Sequence, residues 1–579
     1  MSAVAEQKQL VKGGAFLIEE REPDTIFTPE DFTEEHRMIA DTTRQFIDNE
    51  VTPRMDELEK HDWKLSRELV AQAADLGLIG ANIPEEFGGL GLDQTSGALI
   101  GENIGRSASF ATTLGAESGI GLLPIVYFAT EAAKKKYLPK IAAGELITAY
   151  ALTEAGAGSD AMNGKATARL SDDGTEYILN GEKMWITNGG FADIFIVFAK
   201  VDGDKFSAFI VERQPGLTSG AEEHKMGIKG SSTTALVLSD VRTPVENLLG
   251  EVGKGHKIAF NVLNIGRFKL GAMCVGGMKL MVHESVRYAN ERQQFGKSIS
   301  SFGAIKAKLA EQAIRTWIGE SMIYRTLGMI EDRLNTVDPK DMDARLRAIE
   351  EYAAECSIIK VALSESCDYV VDEMVQIYGG YGYSADYPAE RAYRDSRINR
   401  IFEGTNEINR LLVPAMILKR GHKGELPLAH AMEEARRLPS APVTSLRRAA
   451  LMALDLAAKT WGEKLEQEQE ALMALSDLLI AAFAADTAST RAAQAREAGH
   501  PLASLHADAA ATILAEGAMH ARTVMRPLVL SMLEGDALAA AISQIEHLLA
   551  LRDTNLVAAK RRIAEAVVSR RAYPFGARS

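Results

Sequence analysis

The spacing of apolar residues changes twice along this 579-residue chain. From residue 34 to about residue 140, apolar side chains recur at helical intervals. From Leu146 to about residue 250, Val, Ile, Thr and aromatic residues alternate with polar ones, which is typical of strands. Helical spacing returns at His256 and continues to about Arg420. This order predicts a small β-domain between two α-helical domains.

Turn dipeptides divide the strand-like stretch. Asp173-Gly174, Asn180-Gly181 and Asp202-Gly203 are each typical of hairpin turns. The last of them separates two apolar runs, residues 194–198 and 206–211, which we expect to be buried strands.

Two further segments follow the second helical stretch. Residues 421–445 contain three prolines and several charges, a composition typical of a linker. Beyond it, helical spacing recurs at residues 446–460, 466–496, 506–525 and 537–571. The predicted fold class is therefore α+β and mainly α. Its domains are an N-terminal α-helical domain (28–146), a middle β-domain (147–255), an α-helical bundle (256–420) and an extra C-terminal α-helical domain (446–579).

The composition argues against several classes of protein. A net charge of −14 lacks the basic footprint that nucleic acid requires. No H-E-x-x-H or paired C-x-x-C motif occurs, so no metal is expected. Residues 1–20 do not resemble a secretion signal, and no run of 18 apolar residues is present. The three cysteines (Cys274, Cys356 and Cys367) have no ligand or redox spacing, so we expect reduced thiols and a cytoplasmic protein.

Residues 376–409 combine three features of a ligand site. The stretch Gln376-Ile-Tyr-Gly-Gly-Tyr-Gly-Tyr383 contains glycines that free the backbone to approach a ligand. Arginines recur at helical spacing at positions 394, 397 and 400. Glu403 then stands between Phe402 and Gly404, and an apolar wall raises the pKa of a carboxyl group toward the range of a general base. An exposed helix-capping glutamate in a glycine-rich turn is the alternative, and chemistry alone leaves both open.

Two motifs in the strand-like stretch suit a flat, polar-edged ligand. The loop Tyr150-Ala-Leu-Thr-Glu-Ala-Gly-Ala-Gly-Ser-Asp160 can present backbone N–H groups and hydroxyls to a heteroaromatic ring or a phosphate. In Gly181-Glu-Lys-Met-Trp-Ile-Thr187, alternation places Trp185 and Thr187 on one face of a strand. An ordinary strand-to-loop turn and a core tryptophan are the alternatives for the two motifs.

Arginines on the following helix suit a pyrophosphate, which they bind through paired hydrogen bonds. They lie in Leu263-Asn-Ile-Gly-Arg267 and in Glu291-Arg-Gln-Gln-Phe-Gly-Lys297. Solvated helix arginines are the alternative interpretation.

Together these motifs resemble those of the acyl-CoA dehydrogenase family over about residues 35–420. The extra C-terminal domain is similar to that of the very-long-chain branch, whose members are typically dimers. The resemblance implies FAD-dependent oxidation of an acyl-CoA to the trans-2-enoyl-CoA in fatty acid β-oxidation, with electrons passed to an electron-transfer flavoprotein. Glu403 would remove the α-proton, and Gly266 stands where some relatives carry that base. The family stabilises the enolate-like oxygen with the backbone N–H of the base residue and a flavin hydroxyl.

The resemblance also implies the residues that bind the cofactor and the substrate. The cofactor-binding residues are Tyr150, Leu152, Thr153, Gly158, Ser159, Trp185, Ile186, Thr187, Arg292, Phe295, Gln376, Gly379, Gly380, Thr405 and Glu407. The substrate-binding residues are Ser159, Asn264, Arg267 and Gly404. Of these, Arg292 and residues 376–380 are implied to reach the FAD of the neighbouring subunit in a homodimer.

Several alternatives remain open at this point. An acyl-CoA oxidase would share every motif, and a flavin-free scaffold protein could keep the fold. Residues 111–115 lie where relatives with short pockets carry larger polar side chains, and the small side chains here leave room for more methylenes, each favourable when buried. The resemblance therefore implies a preference for acyl chains of roughly twelve carbons or more. The basic residues at 560–562 and 570–571 could contact an anionic membrane surface, although a solvated face is favoured. We also expect the extra domain to cover bundle surface that a second subunit pair covers in tetrameric relatives.

Overall fold

The structure is a computed structural model that describes residues 10–19, 22, 26–435, 442–550 and 554–576. It confirms the predicted fold class: helices, then a β-sheet, then a long helical region with further helices after it. The chain forms two compact units that do not follow the chain order. The first unit contains residues 32–281 and 367–405, and the second contains residues 1–31, 282–366 and 406–579.

The first unit begins with helices. Thr33 caps the first of them, because its side chain accepts a hydrogen bond from the His36 N–H at 3.1 Å while His36 accepts one from the Thr33 N–H. These helices are α1 (Glu34–Phe46), α2 (Met55–Leu58), α3 (Trp63–Asp75), α4 (Gln94–Ile104), α5 (Ala108–Gly115), α6 (Leu123–Phe128) and α7 (Glu131–Ala142). A π-helical turn, Ala116–Gly121, joins α5 to α6, with Gly119 in a non-helical conformation. Such turns are frequent at functional sites.

The same unit contains an eight-stranded sheet. Its strands are β1 (Thr148–Ala151), β2 (Thr167–Leu170), β3 (Glu176–Thr187), β4 (Ile194–Val201), β5 (Lys205–Glu212), β6 (Leu217–Glu222), β7 (Thr233–Pro244) and β8 (Leu248–Leu249). Their order is β6-β7-β3-β2-β4-β5-β8, with β1 beside β4. The pairs β1–β4 and β2–β4 are parallel and the other pairs are antiparallel. Strands β4 and β5 contain the two apolar runs and are buried, as predicted.

One predicted hairpin turn is wrong. Asp173-Gly174 and Asp202-Gly203 lie in the turns before β3 and β5, but Asn180-Gly181 lies inside β3. There the pairing with β7 shifts register between Leu179 and Gly181, and Gly181 has φ 144°. A side chain at this glycine would begin 2.8 Å from the Cα of Ala166. A glycine is therefore required here because two backbone segments lie close together at a bulge, and not because the chain turns.

Long helices follow the sheet. They are α8 (Gly255–Glu291), α9 (Gly303–Leu334), α10 (Met342–Glu350), α11 (Ala353–Tyr378), α12 (Pro388–Ser396) and α13 (Asn406–His422), with a short hairpin of β9 (Gln293–Gln294) and β10 (Lys297–Ser298) after α8. The predicted linker contains α14 (Leu428–Glu434). The C-terminal helices are α15 (Pro442–Trp461), α16 (Gln469–Glu497), α17 (Ala503–Leu530), α18 (Gly535–Leu548) and α19 (Leu556–Arg570), so the last predicted helical period is two helices.

Within the second unit, buried charges join α9 to the C-terminal helices. Asp486 of α16 accepts hydrogen bonds from Arg325 of α9 at 2.6 Å and from Arg447 of α15 at 2.7 Å. Arg491 of α16 is fully buried and pairs with Glu320 of α9 at 3.0 Å. Because one partner alone would be an uncompensated buried charge, these pairs fix how the C-terminal helices pack on α9.

Two residues of the basic run of α19 form ion pairs with other helices of the second unit. Lys560 pairs with Glu311 of α9 and Glu516 of α17, and Arg562 pairs with Asp508 of α17 at 2.6 Å. These intramolecular pairs support the interpretation of a structural, solvated helix face over a membrane-binding one.

The N-terminal segment has a structural role that the sequence did not reveal. Residues 11–17, the N-terminal strap, bury Ala15, Phe16 and Leu17 in the second unit. The Gly14 N–H donates to Oε1 of Glu355 at 2.6 Å, and the Phe16 ring meets the Phe483 ring edge-on at 5.0 Å.

Within the part of the chain that the structure describes, three helical stretches are long and apolar enough, by length and composition alone, to cross a membrane. They are Ala108–Phe128, Gly255–Glu291 and Gln469–Glu497, and between 67% and 78% of their most apolar windows is buried inside the protein. The sequence alone did not reveal them, because polar residues interrupt these helices and leave no uninterrupted apolar run.

Candidate active site

A cavity of about 270 Å³ lies in the first unit. One face of α8 forms its long wall, where residues at helical spacing point into the cavity. These residues are Gly266, Lys269, Leu270, Met273, Cys274, Gly277, Leu280 and Met281. The end of α4, the α5–α6 region and α12 form the other walls. Their small and apolar residues include Gly105, Ala111, Gly115, Ala116, Gly119, Ile120 and Leu123. The lining suits an elongated, mainly apolar ligand.

Glu403 lines this cavity, in the turn that follows α12. Its backbone is left-handed at φ 58°, and Gly404 continues in that region at φ 79°. A left-handed glutamate costs free energy that the surrounding structure must offset, and such strain is concentrated at functional sites. The turn therefore aims the carboxylate at α8, where a side chain on Gly266 would begin 2.6 Å from Oε2 of Glu403.

A second carboxylate lines the cavity. Asp395 of α12 accepts a hydrogen bond from the Ile228 N–H at 2.5 Å, and burial raises its pKa to about 6. Ile228 has φ 46°, which is rare for a β-branched residue. The carboxylate of Asp395 is therefore engaged in holding a strained segment of the cavity wall. The carboxylate of Glu403 instead faces Gly266 of α8, which has no side chain.

Tyr150 lies close enough to Glu403 to interact with its charge. Burial raises the pKa of the Tyr150 phenol well above its usual value, and the negative charge of Glu403 raises it further. The hydroxyl is buried and makes no hydrogen bond to any residue that the structure describes. A buried hydroxyl of this kind is suited to a polar atom of a bound ligand.

The two strand motifs lie side by side. The Met184 N–H donates to the Thr153 oxygen at 2.9 Å, which joins β3 to the glycine-rich loop. The predicted alternation of Trp185 and Thr187 is interrupted, because the pairing shifts between Lys183 and Ile186 and Trp185 has φ 62°. Thr187 lines the cavity, while the indole of Trp185 is 54% exposed beside the loop.

Four family models match the chain in order. Those of the acyl-CoA dehydrogenase N-terminal domain, middle domain and C-terminal domain match residues 33–145, 149–241 and 253–418. A further model described as an acyl-CoA dehydrogenase C-terminal domain matches residues 445–547. A probable acyl-CoA dehydrogenase of Bacillus subtilis is 47% identical over 97% of this chain and 98% of its own. The chain belongs to the acyl-CoA dehydrogenase family.

Two further relatives place the chain within the family. The structure of an acyl-CoA dehydrogenase complexed with FAD from Bacillus anthracis is similar, with a TM-score of 0.95 and 48% identity over 97% of this chain and 100% of that one. The mitochondrial very long-chain specific acyl-CoA dehydrogenase of Rattus norvegicus is 40% identical over 65% of this chain and 56% of its own. This acyl-CoA dehydrogenase is therefore a flavoprotein oxidoreductase with FAD as its cofactor.

The residues of this dehydrogenase fit FAD. The half-exposed indole of Trp185 offers a flat face to an isoalloxazine ring, and the buried Tyr150 hydroxyl offers a polar contact. Side chains added at Gly156 or Gly158 would meet nothing within 4 Å, so the loop is open on one side. The first unit also contains the predicted cofactor residues Leu152, Thr153, Gly158, Ser159, Ile186, Gln376, Gly379, Gly380 and Thr405.

Other predicted residues are not brought to the cavity. Gln376 lies in the last turn of α11. Gly379 and Gly380 are exposed and begin the short 3₁₀ helix that follows it. Arg292, Phe295 and Glu407 belong to the second unit, where Phe295 is 92% exposed with φ 51°. An aromatic ring this exposed is suited to contact outside its own unit.

The predicted substrate residues lie along α8 and in the glycine-rich loop. Arg267 donates to the Asn264 side chain at 3.0 Å, and both are buried without lining the cavity. Ser159 is exposed in the loop, and Gly404 follows Glu403.

Sequence reasoning missed Lys269, which lines the cavity. Burial lowers the pKa of its amine to about 8, and Nζ donates to the Ser118 oxygen in the π-helical turn at 3.2 Å. A single lysine at helical spacing gives no signal that distinguishes it from a solvated one.

Proposed function

We propose that this enzyme oxidises long-chain acyl-CoA thioesters to trans-2-enoyl-CoA in fatty acid β-oxidation. The observation that carries the chain-length proposal is the length of α8 along the cavity. Gly266 and Met281 both line it, and fifteen residues of helix span about 22 Å. With carbon–carbon bonds of about 1.5 Å at tetrahedral angles, that length accommodates roughly 17 carbons of an extended chain.

The α5–α6 wall supports the same proposal. Of the stretch predicted to leave room, Ala111, Thr112 and Gly115 line the cavity, while Thr113 and Leu114 do not. A side chain at Gly115 would begin 2.5 Å from Cε of Met273 and would narrow the channel. Each methylene accommodated there contributes about 0.8 kcal/mol to binding.

The chemistry proposed for the residues is proton abstraction. Glu403 takes the α-proton of the thioester, and Tyr150 and Phe402 keep the carboxylate in a largely apolar setting. The glycine-rich loop and Trp185 would hold FAD, which would supply the hydride acceptor for the β-hydrogen. The main-chain N–H of Glu403 is proposed to bind the thioester oxygen and to stabilise the charge that develops on it.

We further propose an electron-transfer flavoprotein as the electron acceptor and a homodimer in which Phe295 and Arg292 contact the flavin of the partner chain. The high exposure of Phe295 supports such a contact. A cytoplasmic location stays a prediction. An acyl-CoA oxidase is the rival, and it would convert oxygen to hydrogen peroxide during turnover.

Turnover of acyl-CoAs of four to eighteen carbons with an artificial electron acceptor tests the chain-length proposal. We expect kcat/KM to rise with chain length and to be highest at about twelve carbons or more. Highest specificity for four to six carbons would refute it. Stoichiometric hydrogen peroxide in air, without added acceptor, would favour the oxidase instead.

A further inference from the structure

A buried ion pair connects the glycine-rich loop to the bulged strand. Nζ of Lys183 in β3 donates to Oε1 of Glu154 at 2.7 Å and to the main-chain oxygen of Leu152 at 3.3 Å. The side chains of Lys183 and Glu154 are 1% and 10% exposed. Burial lowers the pKa of the Lys183 amine, and the carboxylate of Glu154 opposes that shift. A lysine this deeply buried needs a compensating partner, which Glu154 provides.

Glu154 also holds the far end of its own loop. Its carboxylate accepts hydrogen bonds from the N–H groups of Lys165 and of Ala166, the latter at 3.1 Å. The backbones of Glu154 and Ala157 exchange hydrogen bonds of 3.2 and 3.0 Å in a tight turn. A side chain at Gly164 would begin 2.8 Å from Oε1 of Glu154, so any larger residue there would have to displace the carboxylate. One carboxylate therefore fixes both ends of the segment from 154 to 166.

Three consecutive residues of β3 connect the loop to the exposed indole. Lys183 binds the Leu152 oxygen, Met184 binds the Thr153 oxygen at 2.9 Å, and Trp185 presents its exposed indole. With their oxygens held by β3, Leu152 and Thr153 have one orientation relative to that indole.

We propose that Lys183 and Glu154 are positioning residues for FAD, which hold Leu152 and Thr153 against the Trp185 bulge. The pair acts through the loop and does not itself need to touch the cofactor. This inference rests on the placement of FAD at the loop, which the family resemblance implies. It adds two residues that the resemblance did not assign.

The test measures FAD affinity apart from catalysis. Apoenzyme of the Lys183→Met variant is titrated with FAD, and its thermal unfolding is recorded separately. We expect FAD to bind about tenfold or more weakly, the scale of one hydrogen bond to a charged group. The control is Lys279→Met, which breaks a partly buried lysine–glutamate pair of the same unit, Lys279 with Glu102 at 2.6 Å. We expect it to lower the melting temperature while FAD affinity is unchanged.

A double variant separates positioning from folding. In Lys183→Met with Glu154→Gln no unpaired buried charge remains, so we expect the melting temperature of the apoenzyme to recover. FAD affinity should stay about tenfold or more below that of the original protein, because the bond to the Leu152 oxygen is still absent. FAD binding as tight as in the original protein would overturn the proposal, as would an equal loss of affinity in Lys279→Met. Since no substrate is used, failure here is distinct from failure of the proposed acyl-CoA reaction.

Discussion

The carboxylate of Glu403 occupies the space into which a side chain at Gly266 would project. A methyl group on Gly266 would lie 2.6 Å from Oε2 of Glu403, well inside van der Waals contact. The family resemblance implies that some relatives carry their base at the position of Gly266. In the mechanism proposed for this chain, the base is Glu403 in the turn after α12, and a side chain at the helix position opposite it would have to displace the carboxylate.

The first prediction follows from that contact. In Gly266→Ala the added methyl should displace the Glu403 carboxylate, and we expect kcat to fall about tenfold or more with FAD retained. Gly101→Ala is the control, because a side chain there would begin 3.7 Å from its nearest neighbour. Kinetics of both variants with a long-chain acyl-CoA check this. Unchanged kcat in Gly266→Ala would show that the carboxylate can move without loss.

The second prediction concerns the distal cavity. Gly277 lies eleven residues beyond Gly266 on α8, about 16 Å along the helix. A Cβ there would meet the Gly105 oxygen at 3.5 Å, an ordinary contact, and because Gly277 lines the cavity we expect the larger side chain of Gly277→Leu to occupy part of the channel. We expect kcat/KM for a sixteen-carbon acyl-CoA to fall about tenfold or more while that for eight carbons changes little. Equal losses for both substrates would place the acyl chain elsewhere. Gly277→Ala, with its smaller addition, should have an intermediate effect.

The third prediction concerns the N-terminal strap. Phe16 is 3% exposed and packs on Phe483, which is fully buried. We expect Phe16→Ala to lower the free energy of unfolding by about 3–5 kcal/mol. The control is Lys12→Ala, because Lys12 is exposed and makes a surface hydrogen bond to the Glu425 oxygen. Calorimetry should show a lower melting temperature for the first variant alone. Equal melting temperatures would mean that the strap adds nothing to stability.

The fourth prediction is a pH dependence. Burial raises the pKa of Glu117 to about 8, although hydrogen bonds from the N–H and the hydroxyl of Thr148 oppose the shift. The folded protein therefore binds this proton more tightly than the unfolded chain does. The resulting stability is fully present below the ordinary glutamate pKa of about 4.5 and is lost as the pH rises toward about 8.

In Glu117→Gln the side chain cannot ionise, so this dependence should disappear. Between pH 5 and pH 8 we expect the unfolding free energy of the variant to fall by a few kcal/mol less than that of the original protein. Denaturant titrations at several pH values measure it, with the exposed Glu131→Gln as the control. Parallel pH profiles would contradict a protonated Glu117.

The sequence predicted the fold class because periodicity reports which side chains face a core. It could not distinguish Asn180-Gly181 as a bulge from a hairpin turn, since both uses favour a glycine at positive φ. Glu403, predicted as the base, and Thr187, predicted to bind the cofactor, both line the cavity, and the sequence could single them out because their motifs are local. Lys269, Asp395 and the N-terminal strap were missed, because their roles depend on contacts between residues far apart in the chain.

The assignment of the base is tested most directly by anaerobic reduction of the bound flavin in stopped flow. Two carboxylates line the cavity, so Glu403→Gln is compared with Asp395→Asn. We predict that Glu403→Gln retains FAD and binds acyl-CoA, yet its flavin is reduced at least about a hundredfold more slowly, the usual contribution of a general base. Asp395→Asn should stay within about tenfold of the original rate. Near-normal flavin reduction in Glu403→Gln, or the larger loss in Asp395→Asn, would contradict the assignment.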